Sequence, residues 1–548
     1  MRKFHLFIIF WFCSYIVFSQ INYKYWIGFT DKKCNLYSLD YPEQYLSQRA
    51  IQRRIKHNIP FNIKDLPVTK AYIDSISLHY PDILYASKWL NGIVIQTNKK
   101  IYGVLLNQYD FIKEIREVYS NKKLKSAIHK FENESNSFIV NYNNSLYGQS
   151  YDQFLTVNGS YLHTRGYKGE NILIAVLDAG FNKADIINGF DSLRLNNRIV
   201  AEADFVFDSL NLYNSANHGM HVLSILAGYN PGYLIGTAPN AYYCLIRTED
   251  ISSEYPVEEY NWVRGAEFAD SIGADIINSS LGYYIFDDSA YNYKYEDLNG
   301  NISISTIGAD IAASKGILVV SSAGNAGRRN WRYILAPSDG DSVICVGAIN
   351  KYKQKCGFSS FGPRTDGQIK PNVMALGDGT IIQLPDNSFI PGFGTSYAAP
   401  IISGLAACLW QAYPNCSNMQ IFNIIEKSSD SYFNPSDSMG YGIPDFIYAY
   451  SHLYNSLEEN KCCAENVFEL FPNPFIQTLN IIVNDININE ITIQILSSHG
   501  KIIFIKEYIV NSDIPYININ KLNFLKPGIY FIKIITENRI KIFKTLKS

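Results

Sequence analysis

Ser396 lies in the stretch GFGTSYAAPIISG (392–404), where small residues surround one hydroxyl before the chain turns apolar at Ile401, Ile402, Leu405, Leu409 and Trp410. A hydroxyl so uncrowded, at the start of a helix that is then buried, leaves space for a substrate carbonyl. As a nucleophile it needs a base. Between residues 150 and 456 the histidines are His163, His218, His221 and His452, and His218 in NHGMHVLSILAG opens an apolar helix beside Gly219. An imidazole base in turn needs a buried carboxylate to hold its tautomer. ILIAVLDAGF supplies Asp178 at the end of an apolar run. Acyl transfer also needs hydrogen-bond donors aimed at the developing oxyanion. VVSSAGNAG carries Asn325 between Gly324 and Ala326. The second donor is the backbone N–H of Ser396, where a helix start leaves amides free and favours negative charge. Singly, each residue has a plainer reading: a capping Ser, a turn-forming Asp, or His218 and His221 as a metal pair one helical turn apart. No acidic residue or third ligand near the two histidines supports the metal. Only the set together describes nucleophilic acyl transfer.

These residues must be brought together by the elements around them. The runs ILIAVLD, AYYCLIR, DIINSSLG, GILVVSSAGN and SVICVGAI alternate with helical stretches such as PVEEYNWVRGAEFADSIG and SISTIGADIAASKG. Continuous apolar strands between helices predict a parallel sheet covered on both faces. Ligands bind beyond the carboxyl ends of such strands, where Asp178 and Asn325 fall. The fold class expected for 150–456 is therefore α/β, a mostly parallel doubly wound sheet.

The chain order Asp, His, Ser, carried by VLDAG, HGMHV and GTSYAAP with SSAGNAG before the Ser, resembles the subtilisin-like serine peptidases. The resemblance implies a serine endopeptidase with protein or peptide substrates. It also implies a substrate-binding strand in INSSLGY, with Ser280, Leu281 and Gly282 lining the side of the residue preceding the cleaved bond. Three positions depart from the common pattern: Ala179 lacks a hydroxyl, Met220 stands for Thr, and Tyr397 stands for Met. None removes a catalytic atom. A catalytically inactive binding protein on the same fold, or an esterase or transpeptidase using the same Ser, are the alternatives. No cofactor is expected; structural calcium is common in the family and stays open, because no loop here has a spacing that assigns one.

The flanking segments read differently. MRKFHLFIIFWFCSYIVFSQ (1–20) has a basic start and a short apolar stretch, the pattern of a secretory signal peptide. Residues 21–120 form an α+β unit with a strand at YKYWIGF, a helix over PEQYLSQRAIQRRIKHN and a strand at ASKWLNGIVIQTN. By the same resemblance this unit is a propeptide that blocks the cleft until self-cleavage between 120 and 150. Residues 121–149 are a polar linker. From 465 to 548 short strands separated by turns predict a β-sandwich. FELFPNPFIQTLNI and the basic end KTLKS resemble the C-terminal sorting domain of type IX secretion cargo in Bacteroidota, which implies that secretion machinery as a partner. The expected location is outside the cell or on its surface, reached through the periplasm. The formal net charge of -2 gives no electrostatic case for nucleic acid or an anionic membrane. No segment beyond the signal is apolar enough to span a bilayer. Export permits disulfides, but the spacing of the 9 cysteines fixes no pairing.

Overall fold

Uninterrupted apolar strands need cover on both faces, and here they obtain it. The computed structural model describes residues 22–101, 108–121, 146–206, 212–458, 467–483, 488–510 and 516–548. The predicted signal peptide and most of the predicted linker, with its cleavage point, lie outside the described residues. Seven strands form one parallel sheet: β1 (Leu173–Asp178), β2 (Ile199–Asp204), β3 (Tyr242–Arg247), β4 (Ile276–Ser279), β5 (Leu318–Ser322), β6 (Val343–Ile349) and β7 (Val373–Leu376). Their order is β7-β6-β5-β4-β1-β3-β2. Helices α1 (His218–Ala227) and α4 (Thr395–Ala412) lie against one face, and α2 (Val257–Ile272) and α3 (Ile304–Ser314) against the other. Strand β1 serves both. Ile174 and Val176 pack with Val222, Leu226, Ile402 and Leu405. Leu173, Ala175 and Leu177 pack with Val263, Ala266, Ala309 and Ala312. That alternation is the period-two geometry of a strand buried on both sides.

The N-terminal unit is a four-stranded antiparallel sheet in the order Ile83–Ser87, Gly92–Thr97, Tyr23–Phe29, Ile112–Ser120. ASKWLNGIVIQTN, expected as one strand, is a hairpin: Ile83–Ser87 pairs with Gly92–Thr97 through a turn that ends at Asn91, with φ of 55°. Asn is among the few residues other than Gly that occupy this region cheaply. The expected helix from Pro42 is interrupted as well. Pro42–Gln44 is a single tight turn, and the helix proper, Gln48–Lys56, starts only where Ser47 caps it by accepting from the Ala50 amide. The C-terminal region has a three-stranded and a four-stranded antiparallel sheet around one core that includes Leu479, Ile481, Ile493, Ile495, Ile532 and Ile534.

The N-terminal sheet is fastened to the C-terminal half of α2. Glu267 accepts from the Ser87 hydroxyl and from the amides of Lys88 and Trp89. One turn on, buried Asp270 takes Arg53 at 2.6 Å, Arg54 at 2.8 Å and Lys88 at 3.4 Å. Trp89 is buried with α2 and α3. Burial works to raise the Asp270 carboxyl, but the charges of Lys88, Arg54 and Arg53 outweigh it and hold it below the usual range. A depressed acid stabilises the folded contact above the unfolded value of about 4 and loses that contribution as pH falls further. The contact therefore holds across neutral and mildly acid pH. Asp270→Ala, which removes the ion pair of buried Arg53 and leaves buried Arg54 with Asp65 alone, should cost about 3–5 kcal/mol. Hydrogen exchange on the uncut chain is expected to show faster exchange in Gln48–Lys56 while β1 and β4 keep their protection.

Candidate active site

Asp178 is the last residue of β1, and the amide of Thr248 closes the strand end by donating to its carbonyl at 3.0 Å. Its carboxylate is buried; Oδ1 accepts from the Ala179 amide and meets His218 Nδ1, both at 2.7 Å. His218 is the first residue of α1. It can come so close because the next residue is Gly219, where a Cβ would stand 2.9 Å from Asp178 Cβ and 2.4 Å from a backbone oxygen. Oδ2 of Asp178 finds no donor among the described residues, as expected where Ala179 has no hydroxyl to offer.

Ser396 is the second residue of α4 and is nearly buried. Its hydroxyl donates to the Ser280 carbonyl at 3.2 Å, and the Ser280 hydroxyl donates back to the Ser396 carbonyl at 2.8 Å. The second bond has a cause in the sequence. Pro400, four residues on, has no N–H to give that carbonyl, so a side chain from the next strand end serves instead. Gly394, before the helix, has φ of 147°, and a Cβ there would lie 3.3 Å from Asn325 Nδ2. Glycine is thus what lets the turn carrying Ser396 approach Asn325.

Asn325 is exposed, but its amide is oriented. Oδ1 accepts from the Thr395 amide and the Thr395 hydroxyl, each at 3.0 Å, which leaves the Nδ2 hydrogens as the amide's donors. Thr395 Oγ1 also accepts from the Gly324 amide at 3.0 Å. Nothing in the local sequence singles out Thr395; only its contacts across 70 residues with the strand end at Gly324 and Asn325 reveal its role. Tyr397, marked in the sequence only as a departure from Met, also shows its role through contacts with distant residues. Its ring lies 6.0 Å from that of His218 at an interplanar angle of 28°, and its hydroxyl is 3.4 Å from His221 Nδ1. Burial, then the Asp178 charge, push its phenol well up. One residue from the nucleophile, it brings the start of α4 against the imidazole on α1.

The remaining histidines are placed elsewhere. Burial, then the neighbouring His218, push His221 down to about 3, so it stays neutral at working pH. His163 is buried 3.0 Å from the Thr237 carbonyl and pushed by burial down to about 4. His452 meets Lys427 at 2.9 Å. His218 is bonded to a carboxylate, that of Asp178. Leu281 turns into the core with α2 and α3, while Gly282 borders Leu335. The six described cysteines are all free thiols, and Cys462 and Cys463 lie outside the described residues.

A family model described as Subtilase family matches residues 169–443. The chain belongs to the subtilase family. Within this subtilase, a Bacteroidota Peptidase S8 propeptide domain matches residues 24–136 and a secretion system C-terminal sorting domain matches 469–547. A sorting domain of this kind marks a secreted or cell-surface protein. No helix among the described residues is long and apolar enough to cross a membrane. Subtilisin NAT of Bacillus subtilis subsp. natto is 31% identical over 52% of this chain and 66% of its own length. The chain thus spans just under two thirds of that relative. Subtilisin of Bacillus pumilus is 30% identical over 52% of this chain and 92% of its own. The crystal structure of MycP1 from Mycobacterium smegmatis aligns at 20% identity and a TM-score of 0.45, over 60% of this chain and 89% of that one.

Proposed function

We propose that this subtilase is a secreted serine endopeptidase that cleaves protein or peptide substrates through an acyl-enzyme. Ser396 Oγ attacks the peptide carbonyl while His218 Nε2 takes its proton. The same imidazole then gives that proton to the leaving amine, and water repeats the sequence to release the acid. Asp178 holds the proton of His218 on Nδ1 and balances the imidazolium. Asn325 Nδ2 and the Ser396 amide receive the oxyanion. The observation that carries this reading is the buried 2.7 Å bond between His218 and Asp178, at the corner where α1 and α4 begin.

The domain boundaries that go with this reading are a signal peptide at 1–20, a propeptide at 21–120, a linker at 121–149, the peptidase at 150–456 and the sorting module at 465–548. The propeptide, seated on α2 through Glu267 and Asp270, keeps the enzyme inactive until the linker is cut. The sorting module hands the chain from the periplasm to type IX secretion machinery. The residues named here carry the reaction with no step assigned to a metal or cofactor.

Asn325→Ala tests the oxyanion role. The fold should survive, because Asn325 itself is exposed and the Gly324 amide still donates to the Thr395 hydroxyl. Turnover on a peptide substrate should fall by about a hundred- to a thousandfold with little change in KM, a magnitude that subtilisin itself sets and not one calculated from this geometry. Unchanged turnover would remove Asn325 from the mechanism.

A further inference from the structure

Beyond the ends of β4 and β5, two extended segments lead from the site: Ser280–Gly282, which holds the nucleophile's hydroxyl, and Ala323–Asn325, which ends at the oxyanion amide. Strands β4 and β5 are paired through Ser279 and Ser321. Past that point a third segment crosses between the two. The Leu335 amide donates to the Ala323 carbonyl at 3.1 Å, and Tyr283 and Ala336 exchange amide-to-carbonyl bonds at 2.8 and 3.2 Å. The slot between the segments is therefore closed below by residues 334–336.

Leu335 is the residue that fills it. A Cβ at Gly282 would stand 2.9 Å from Leu335 Cβ, and one at Gly324 would stand 2.5 Å from Leu335 Cγ. Both walls are glycine where the leucine touches them, and Gly324, with φ of 103°, admits little else. The contact at Gly282 is to Cβ, so rotating the leucine does not clear it. Its neighbours Ile334 and Ala336 are 0% exposed, whereas Leu335 keeps 8%. Ile334 packs with Leu298, Ala323 and Cys345, and Leu281 and Tyr283 pack with the α2 and α3 core; Leu335 belongs to neither cluster. Of residues 334–336 it alone keeps some exposure.

We propose that Leu335 is the floor of the pocket receiving the side chain that precedes the cleaved bond, and that the enzyme cuts after small uncharged residues: Gly, Ala or Ser. This rests on the peptidase reading above. A carbonyl held by Asn325 and the Ser396 amide presents its own side chain to the slot between Gly282 and Gly324. An apolar floor that close to the mouth offers nothing to a charge and no depth to an aromatic ring. A site discriminates between side chains through their contacts in the transition state, and a single methylene is worth about ten- to two-hundredfold.

The test compares two tetrapeptide p-nitroanilides that differ only in Ala or Phe before the anilide. The enzyme is processed from the full chain and its active fraction is counted with a fluorophosphonate. The parent should favour Ala by at least about tenfold in kcat/KM. Leu335→Gly should raise the Phe rate at least about tenfold, and Leu335→Ala should move it the same way by less. An active parent that cuts after Phe as well as after Ala overturns the proposal. So does a fluorophosphonate-reactive Leu335→Gly or Leu335→Ala enzyme with the parent's ratio. If the parent takes up no fluorophosphonate and cuts neither peptide, the peptidase reading fails and this inference with it.

Discussion

Ser396→Ala should leave a folded, secreted chain whose peptide hydrolysis falls by roughly a millionfold, the size of loss that subtilisin itself shows when its nucleophile is removed. The fold is expected to persist because alanine suits a helix start followed by small residues, and the Ser280 hydroxyl still reaches the carbonyl of residue 396. Only the hydroxyl that forms the acyl bond is lost. The same variant tests maturation. If the chain cuts its own linker, the uncut precursor should accumulate, with the N-terminal sheet still held by Glu267 and Asp270. A gel of secreted protein reads both states, and normal processing would count against self-cleavage.

Asp178→Asn should cost about ten-thousandfold, in kcat more than in KM. The substitution preserves shape, since the site accepts from the Ala179 amide and from His218 with little else around it. It removes the charge that balances the imidazolium. It also permits the imidazole tautomer with its proton on Nε2, which cannot take the proton of Ser396. Steady-state rates on the Ala peptide, beside circular dichroism of both proteins, measure the effect. A loss of less than tenfold would mean that the buried bond between Asp178 and His218 is structural.

The parts of the site carried by local pattern are legible in the sequence. ILIAVLD reads as a buried strand because nothing polar interrupts it, so Asp178 falls at a strand end, as it does in β1. The helices at 257–272 and 304–314 are equally plain. Strand β2 escapes the pattern, since its sequence IVAEAD lies at the sheet edge, is half-exposed and carries Glu202 and Asp204. Strand β7 escapes because four residues, VMAL, are too few to show a period. What Thr395, Tyr397 and Leu335 do escapes for another reason. Each acts through a contact with a segment distant in the chain: Thr395 with Asn325, Tyr397 with His218, and Leu335 with Gly282 as well as nearby Gly324. Composition near a residue carries no trace of a partner that only the fold brings beside it.

In the proposed reaction the imidazole on α1 activates the hydroxyl at the start of α4. Labelling the processed enzyme with a fluorophosphonate and mapping the adduct by mass spectrometry addresses that activation most directly. One phosphonate on the peptide containing Ser396, absent from a folded His218→Ala variant, is the predicted result. A processed enzyme that still hydrolyses peptides yet carries no adduct at Ser396, or a His218→Ala protein labelled as fast as its parent, would contradict it.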